Sequence, residues 1–389
     1  MSDFATLSDF DAAKSELTTI RHHLHAHPEL SGQEQNTAAF VAEKLEEWGY
    51  EVTRNIGGHG VVGRLRAGEG NRSIAIRADM DALPIQENTG HSYASQTPGV
   101  MHACGHDGHT TMLLGAAQYL ARTKNFSGTL NLVFQPAEES IEASGARAMI
   151  ADGLFERFPC DAIFGMHNHP GVAAGTILTR SGPMMAAADS VTITVNGKGG
   201  HASRPHLCID PIVCVSAIVM ALQTIVSRSI DSNEPAVVTV GTIHGGTASN
   251  VIAQEASISV SIRSFSAEVR ALLKSRLVTI VETQCASWGA TATIDFEAGH
   301  PVVVNAADET EFATSVCEEL VGKGNVGECP LIPGSEDFAN YLDHKPGCFI
   351  RLGNGEESAM LHNPGYDFND ESLTTGAALW ARLTERFLR

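Results

Sequence analysis

Three short apolar runs constrain this chain most, because each ends in chemistry. Ser73-Ile74-Ala75-Ile76-Arg77 empties into Ala78-Asp79-Met80-Asp81-Ala82-Leu83-Pro84. Thr129-Leu130-Asn131-Leu132-Val133-Phe134 runs straight into Gln135-Pro136-Ala137-Glu138-Glu139. Ala162-Ile163-Phe164-Gly165-Met166 delivers His167-Asn168-His169-Pro170. Such runs read as buried strands, and acidic residues just past their carboxyl ends sit where open α/β sheets place their sites. Glu138 beside Glu139 is costly unless something cationic compensates. A solvated turn is the plain alternative. A metal ligand beside a general base explains the pair better.

The second constraint is the stretch Met101-His102-Ala103-Cys104-Gly105-His106-Asp107-Gly108-His109-Thr110. Thiolate, imidazole and carboxylate are the groups that bind borderline transition metals. Cys-x-His is too short for a zinc finger, and no second Cys-x-x-Cys follows to close a structural tetrahedron. The stretch reads as an open site completed by distant residues, as catalytic metal sites are. A buried turn with incidental histidines is the alternative. Arg21-His22-His23-Leu24-His25-Ala26-His27-Pro28-Glu29 is also rich in imidazole. It closes an amphipathic helix over 9–26 and reads as a helix end with solvated histidines.

A chain of 389 residues can bury a sizeable core and reads as two domains. Its net charge of -19 leaves no basic patch for phosphates, which argues against nucleic acid or an anionic membrane as partner. The eight cysteines show no framework spacing and read as free thiols of a reducing cytosol, so a cytoplasmic protein is expected. Met1-Ser2-Asp3-Phe4 has no basic or apolar leader pattern. No segment approaches the ~20 apolar residues of a membrane span.

The remaining elements follow in order. A second helix is predicted over 34–48, closed by Gly49, and an apolar helix over 111–122. From about Ala188 the texture changes. Strands at 190–196, 236–242, 256–263 and 291–296 alternate with helices at 210–227 and 267–288, around a glycine-rich loop at 197–206. The order β-α-β-β-α-β is that of a ferredoxin-like sandwich. The expectation is a small domain of 188–300 inserted between 1–187 and 301–389 of a larger one. The larger domain resumes with a helix at 309–321, Gly334-Ser335-Glu336-Asp337-Phe338, a strand at 348–352 and Leu361-His362-Asn363-Pro364-Gly365.

Taken together, these motifs resemble the aminoacylase/carboxypeptidase family of two-metal amidohydrolases. The likeness is to the branch holding hippurate hydrolase and the N-acyl-amino-acid and indole-acetyl-amino-acid amidohydrolases. It rests on 77–84, 101–110, 135–139, Gly165-Met166-His167, Gly199-Gly200-His201, 334–338 and 361–364, which span nearly the whole chain in the family's order. The resemblance implies an α/β catalytic domain of the zinc-exopeptidase kind with an inserted lid that also dimerises the protein. It implies two divalent metal ions, zinc or manganese first, cobalt or nickel also suiting mixed ligands. Cys104, His106, Glu139, His167 and His362 match the metal ligands, and Glu138 the general base. Asp79 stands where other branches carry a histidine ligand. Two departures are noted: Ser140–Ser144 replaces a run of glycines, and His169 is an extra imidazole not taken as a ligand.

The implied reaction is hydrolysis of an N-acyl amino acid to a carboxylic acid and a free amino acid. Asp81 reads as the carboxylate that orients a ligand imidazole, with simple helix capping as the alternative. By resemblance His201 reaches the scissile carbonyl, often from a partner subunit, and Asn250 lies near the same oxygen. Arg263, at a strand end, suits a substrate carboxylate; an ordinary surface arginine is the other reading. Competing functions are a dipeptidase or N-acetyl-diaminopimelate deacetylase, and a catalytically inactive metal-binding protein.

Overall fold

The computed structural model describes residues 4–297 and 299–389, so Met1, Ser2 and Asp3 of the leader expectation lie outside the described residues. The chain forms two units. The larger takes in residues up to Gly182, Val304–Pro330 and Asp337–Arg389; the smaller takes in Pro183–Val303 and Leu331–Glu336.

Valine, isoleucine, leucine and phenylalanine build the larger unit's sheet, whose central strands are buried on both faces as the unbroken apolar runs require. Its strands lie in the order Glu51–Ile56, Gly60–Ala67, Gly128–Gln135, Ser73–Asp79, Ala162–His169, Gly347–Gly353, Ile177–Thr179 and Val326–Glu328. The three runs that end in chemistry are neighbours and parallel, so their carboxyl ends emerge at one edge. Helices Lys14–Ala26, His106–Thr123 and Glu371–Phe387 pack together over a core that includes Leu17, Leu113, Leu114, Leu379 and Trp380.

Two elements differ from the sequence expectation. The segment over 9–26 is a 3-10 turn at Leu7–Ala13 followed by an α-helix at Lys14–Ala26. The helix expected from Thr111 begins at His106 instead. Gly105 starts it, at φ +95, a left-handed conformation natural to glycine. A side chain there would meet Asn168 at 2.5 Å and Tyr366 at 2.7 Å. His106 and Asp107 therefore lie in the first helical turn, where the backbone dipole favours the carboxylate.

In the smaller unit, the four-stranded antiparallel sheet runs Ala236–Gly245, Glu255–Ser264, Ala187–Asn196, Thr291–Phe296. In chain order this places the first strand between the third and the fourth, the ferredoxin-like arrangement. Glu255–Ser264 alternates between buried and less buried positions. The buried set, Ala256, Ile258, Val260 and Ile262, joins Val215, Ile218, Leu273 and Leu277 of helices Pro211–Leu222 and Ala267–Trp288 in one core. Each helix has a side-chain cap: Asp210 accepts the Ile212 N–H, and Ser266 the Val269 N–H.

Candidate metal centre

The larger unit gathers metal-capable groups at the carboxyl edge of its sheet. Cys104, His106 and His167 present donor atoms all within 4.8 Å of one another; so do Cys104, Glu139 and His362, and so do His106, Glu138 and Glu139. Cys104 Sγ is 3.3 Å from His167 Nε2, and Glu139 Oε1 is 3.2 Å from His362 Nε2. His106 Nε2 lies 4.0 Å from both Glu138 Oε2 and Glu139 Oε1. The five residues matched to ligands thus meet in three overlapping groups, with Glu138 in one of them.

The backs of the imidazoles decide which nitrogens are free. His167 Nδ1 is 2.8 Å from the Asn168 carbonyl, which only accepts, so Nδ1 carries the proton and Nε2 offers its lone pair. His106 Nδ1 is 3.1 Å from Asp81 Oδ1, which leaves His106 Nε2 on the open side. Asp81 is itself held, since its Oδ2 accepts from Ser31 Oγ at 2.6 Å and from the Glu139 N–H at 2.9 Å. A carboxylate behind an imidazole is the usual support of a metal ligand.

Electrostatics mark the centre as short of positive charge. Burial opposes a charge on His106, but Asp79, Asp81 and Glu139 outweigh it and push its pKa up to about 10. Burial, with Glu139 and Glu138 adding to it, holds the Cys104 thiol well above its ordinary value. Burial and Arg351 keep His167 neutral. His106 Nε2 is buried without a hydrogen bond, and Glu139 Oε1 has no well-directed one. Such atoms are costly unless a cation meets them. The thiol, imidazole and carboxylate donors fit a divalent transition metal, whose charge would also stabilise the Cys104 thiolate.

Several neighbours carried no sequence assignment. Asp79 is fully buried with both oxygens committed, Oδ2 to Arg77 at 2.6 Å and Oδ1 to His109 Nδ1 at 2.6 Å. That makes it an anchor for the cluster. His109 Nε2 accepts the Asn168 N–H at 3.0 Å. The signal for His109 was its three-residue spacing from His106 on one helix face. Arg77 also reaches Asp337 at 3.1 Å and Gln135 at 2.8 Å, a closure no local pattern announces. His169 turns to Arg351 instead, with Nδ1 3.3 Å from Nε, and joins none of the metal-capable groups among the described residues.

The expectation of solvated histidines at the end of the first helix needs correction. His23 and His27 are exposed, but His25 is fully buried with Nδ1 2.8 Å from Asp107 Oδ2. Arg21 is equally buried, 2.7 Å from Asp367 and 2.8 Å from Asp370. Residues 21 and 25 are one helical turn apart and share the inward face, where the buried Asp107 requires a cation.

The other expected site residues belong to the smaller unit. His201 lies on the short strand Gly200–His201, which pairs with Val251–Ile252. Its Nδ1 accepts the Ser203 N–H at 3.1 Å, so the neutral ring carries its proton on Nε2. Asn250 is adjacent, its carbonyl accepting the Ala202 N–H at 3.1 Å. Arg263 stands apart on the sheet, between Ala188 and Val237, with a buried Nη1 that has no hydrogen-bond partner among the described residues.

A profile of peptidase family M20/M25/M40 matches residues 75–386. The chain belongs to that family. A hippurate hydrolase of Campylobacter jejuni is 44% identical over 378 residues, 97% of each chain. The IAA-amino acid hydrolase ILR1-like 4 of Arabidopsis thaliana is 37% identical, covering 100% of this chain and 89% of that one. Among solved structures, the YXEP protein of Bacillus subtilis, described as a dinuclear metal binding peptidase, superposes with a TM-score of 0.85 at 34% identity, over 97% of this chain and 99% of that one. An M20 chain is a hydrolase, which accounts for a site built of carboxylates and imidazoles at the carboxyl edge of a mixed sheet. Among the described residues of this M20 chain, no helix is long and apolar enough to cross a membrane.

Proposed function

We propose that this M20 chain hydrolyses the amide bond of N-acyl amino acids, with two divalent ions held by Cys104, His106, Glu139, His167 and His362. The observation that carries the reading is the placing of the Glu138 carboxylate against the same space as the open His106 nitrogen, with Oε2 4.0 Å from Nε2. A purely structural metal site has no use for an additional carboxylate there. Zinc or manganese suits the mixed sulfur, nitrogen and oxygen donors. The ions supply Lewis acidity at the scissile carbonyl and a water of lowered pKa.

The chain's own residues do the rest. Glu138 takes the water's proton on its carboxylate and returns it to the departing nitrogen, as base and then acid. Asp81 fixes the His106 ring, and Asp79 with Arg77 and His109 braces the cluster behind it. His201, neutral with its proton on Nε2, donates to the carbonyl oxygen as negative charge develops there. Asn250 assists at that oxygen, and Arg263 pairs with the substrate carboxylate.

The smaller unit is the lid, and through it two copies pair. Its strand Ala236–Gly245 lies at the edge of the sheet, and Val237 and Ile243 on it are exposed. Ile212, Val213 and Met220 are exposed on the helix packed beside it. An open strand edge next to apolar helix residues favours association with a second copy. The deciding experiment is a panel of N-acyl amino acids, varying acyl group and amino acid separately, assayed before chelation, after it and with metal restored. Hydrolysis abolished by chelation and restored by metal is expected. No hydrolysis of any member with either zinc or manganese overturns the reading.

A further inference from the structure

The turn from Leu30 to Glu34 touches both acidic loops of the centre. Ser31 Oγ donates to Asp81, and Glu34, fully buried, reaches the other loop. Glu34 stands at the N-cap of helix Gln35–Glu47, yet its side chain does not cap that helix. Its Oε1 accepts the N–H of Gly32 and the N–H of Ala137, each at 2.8 Å. Ala137 has a φ of +51, a left-handed conformation that a residue with a Cβ resists. Its peptide is gripped from the other side too, since the Ala137 carbonyl accepts the Gly145 N–H at 3.0 Å. Glu138 and Glu139 follow directly, so the conformation at Ala137 sets the direction in which both carboxylates leave the strand.

We propose that Glu34 is a positioning residue: its carboxyl group clamps the Ala137 N–H and thereby aims Glu138 and Glu139 into the centre. This rests on the roles proposed above for those two glutamates. A backbone in a disfavoured conformation persists only where its surroundings over-determine it. Glu34 and Gly145 are the groups that do so here. The helix cap that Glu34 forgoes is the local cost of that grip.

The test uses the full-length, metal-loaded chain. Glu34→Ala should lower kcat by about 30-fold with KM changed less than about 3-fold, since a misplacement near 1 Å can cost about 10²-fold. It should also speed amide exchange in the 136–139 peptide. Glu34→Gln keeps an oxygen that accepts both N–H groups and should recover most of the loss. Ala137→Gly added to Glu34→Ala should restore part of the rate, because glycine adopts this φ freely. Should Glu34→Ala unfold, Glu34→Asp, one methylene short of the Ala137 N–H, carries the same test. The proposal is overturned if the truncated variant keeps the parent kcat and exchange, if Gln fails as badly as Ala, or if glycine at 137 restores nothing. Amide exchange is read without turnover, so a parent chain inactive on every N-acyl amino acid overturns the proposed function and leaves this test standing.

Discussion

In the larger unit Asp81, Cys104, His106, Glu138 and His167 are all buried, and the His106 and His167 rings are hydrogen-bonded from behind. In the smaller unit His201 and Asn250 are exposed, and His201 is held only by its own neighbour Ser203. The contrast separates two tasks. Buried donors with supported backs suit a ligand that stays, because their desolvation is offset only while a cation is present. Exposed donors on a short strand keep their water until something covers them, and act when it does.

The sharpest way to break this contrast is at Glu138. Glu138→Gln should retain metal and lose about 10²–10⁴ in kcat, the usual worth of general base catalysis. Kinetics and metal analysis on one preparation decide it, and retention of a rate within about 10-fold removes Glu138 as the base. The smaller unit answers next. His201→Ala should lower kcat by about 10², the cost of one donor at a developing oxyanion, with metal content intact. Mixing it with Glu138→Gln should restore part of the activity if His201 serves a partner's site. Confirmed subunit exchange without recovery places its action within its own chain.

Cys104→Ser should weaken metal binding by about 10-fold or more, because a hydroxyl is a poorer ligand than a thiolate. Titration calorimetry on the metal-stripped chain reads this directly, and an unchanged affinity takes Cys104 out of the ligand set. The smallest effect concerns a buried imidazole of the larger unit that holds no metal. Burial opposes charge on His25, but Asp107 and Glu87 prevail and raise its pKa to about 9. Its unfolded value is about 6.5. The folded protein therefore binds the proton more tightly. That stabilisation is complete below about pH 6.5 and is lost as pH rises through about 9, on the order of 1–3 kcal/mol. Chemical unfolding across that range should show stability falling with pH, and His25→Gln should flatten the slope.

The sequence by itself determined what is local and periodic. Unbroken apolar runs such as Thr129–Phe134 have to be buried on both faces, which forces a layered α/β sheet and puts Glu138 and Glu139 at its carboxyl edge. Alternation in 256–263 required a sheet with one covered face, and so a second, smaller fold. Cys104, His106, His167 and His362 were visible because metal-capable residues stood beside strand ends and glycines. Only the tertiary structure decided partners that lie far apart in the chain. Arg77 meets Asp337, Glu34 meets Ala137, and His25 turns inward to Asp107. The return of Leu331–Glu336 to the smaller unit belongs with these. Hydrophobic period selects a face of an element, but which buried charge will face which, across tens or hundreds of residues, depends on how the packed layers close. A buried charge tolerates no vacancy opposite it, so those pairings are settled only when the whole core is in place.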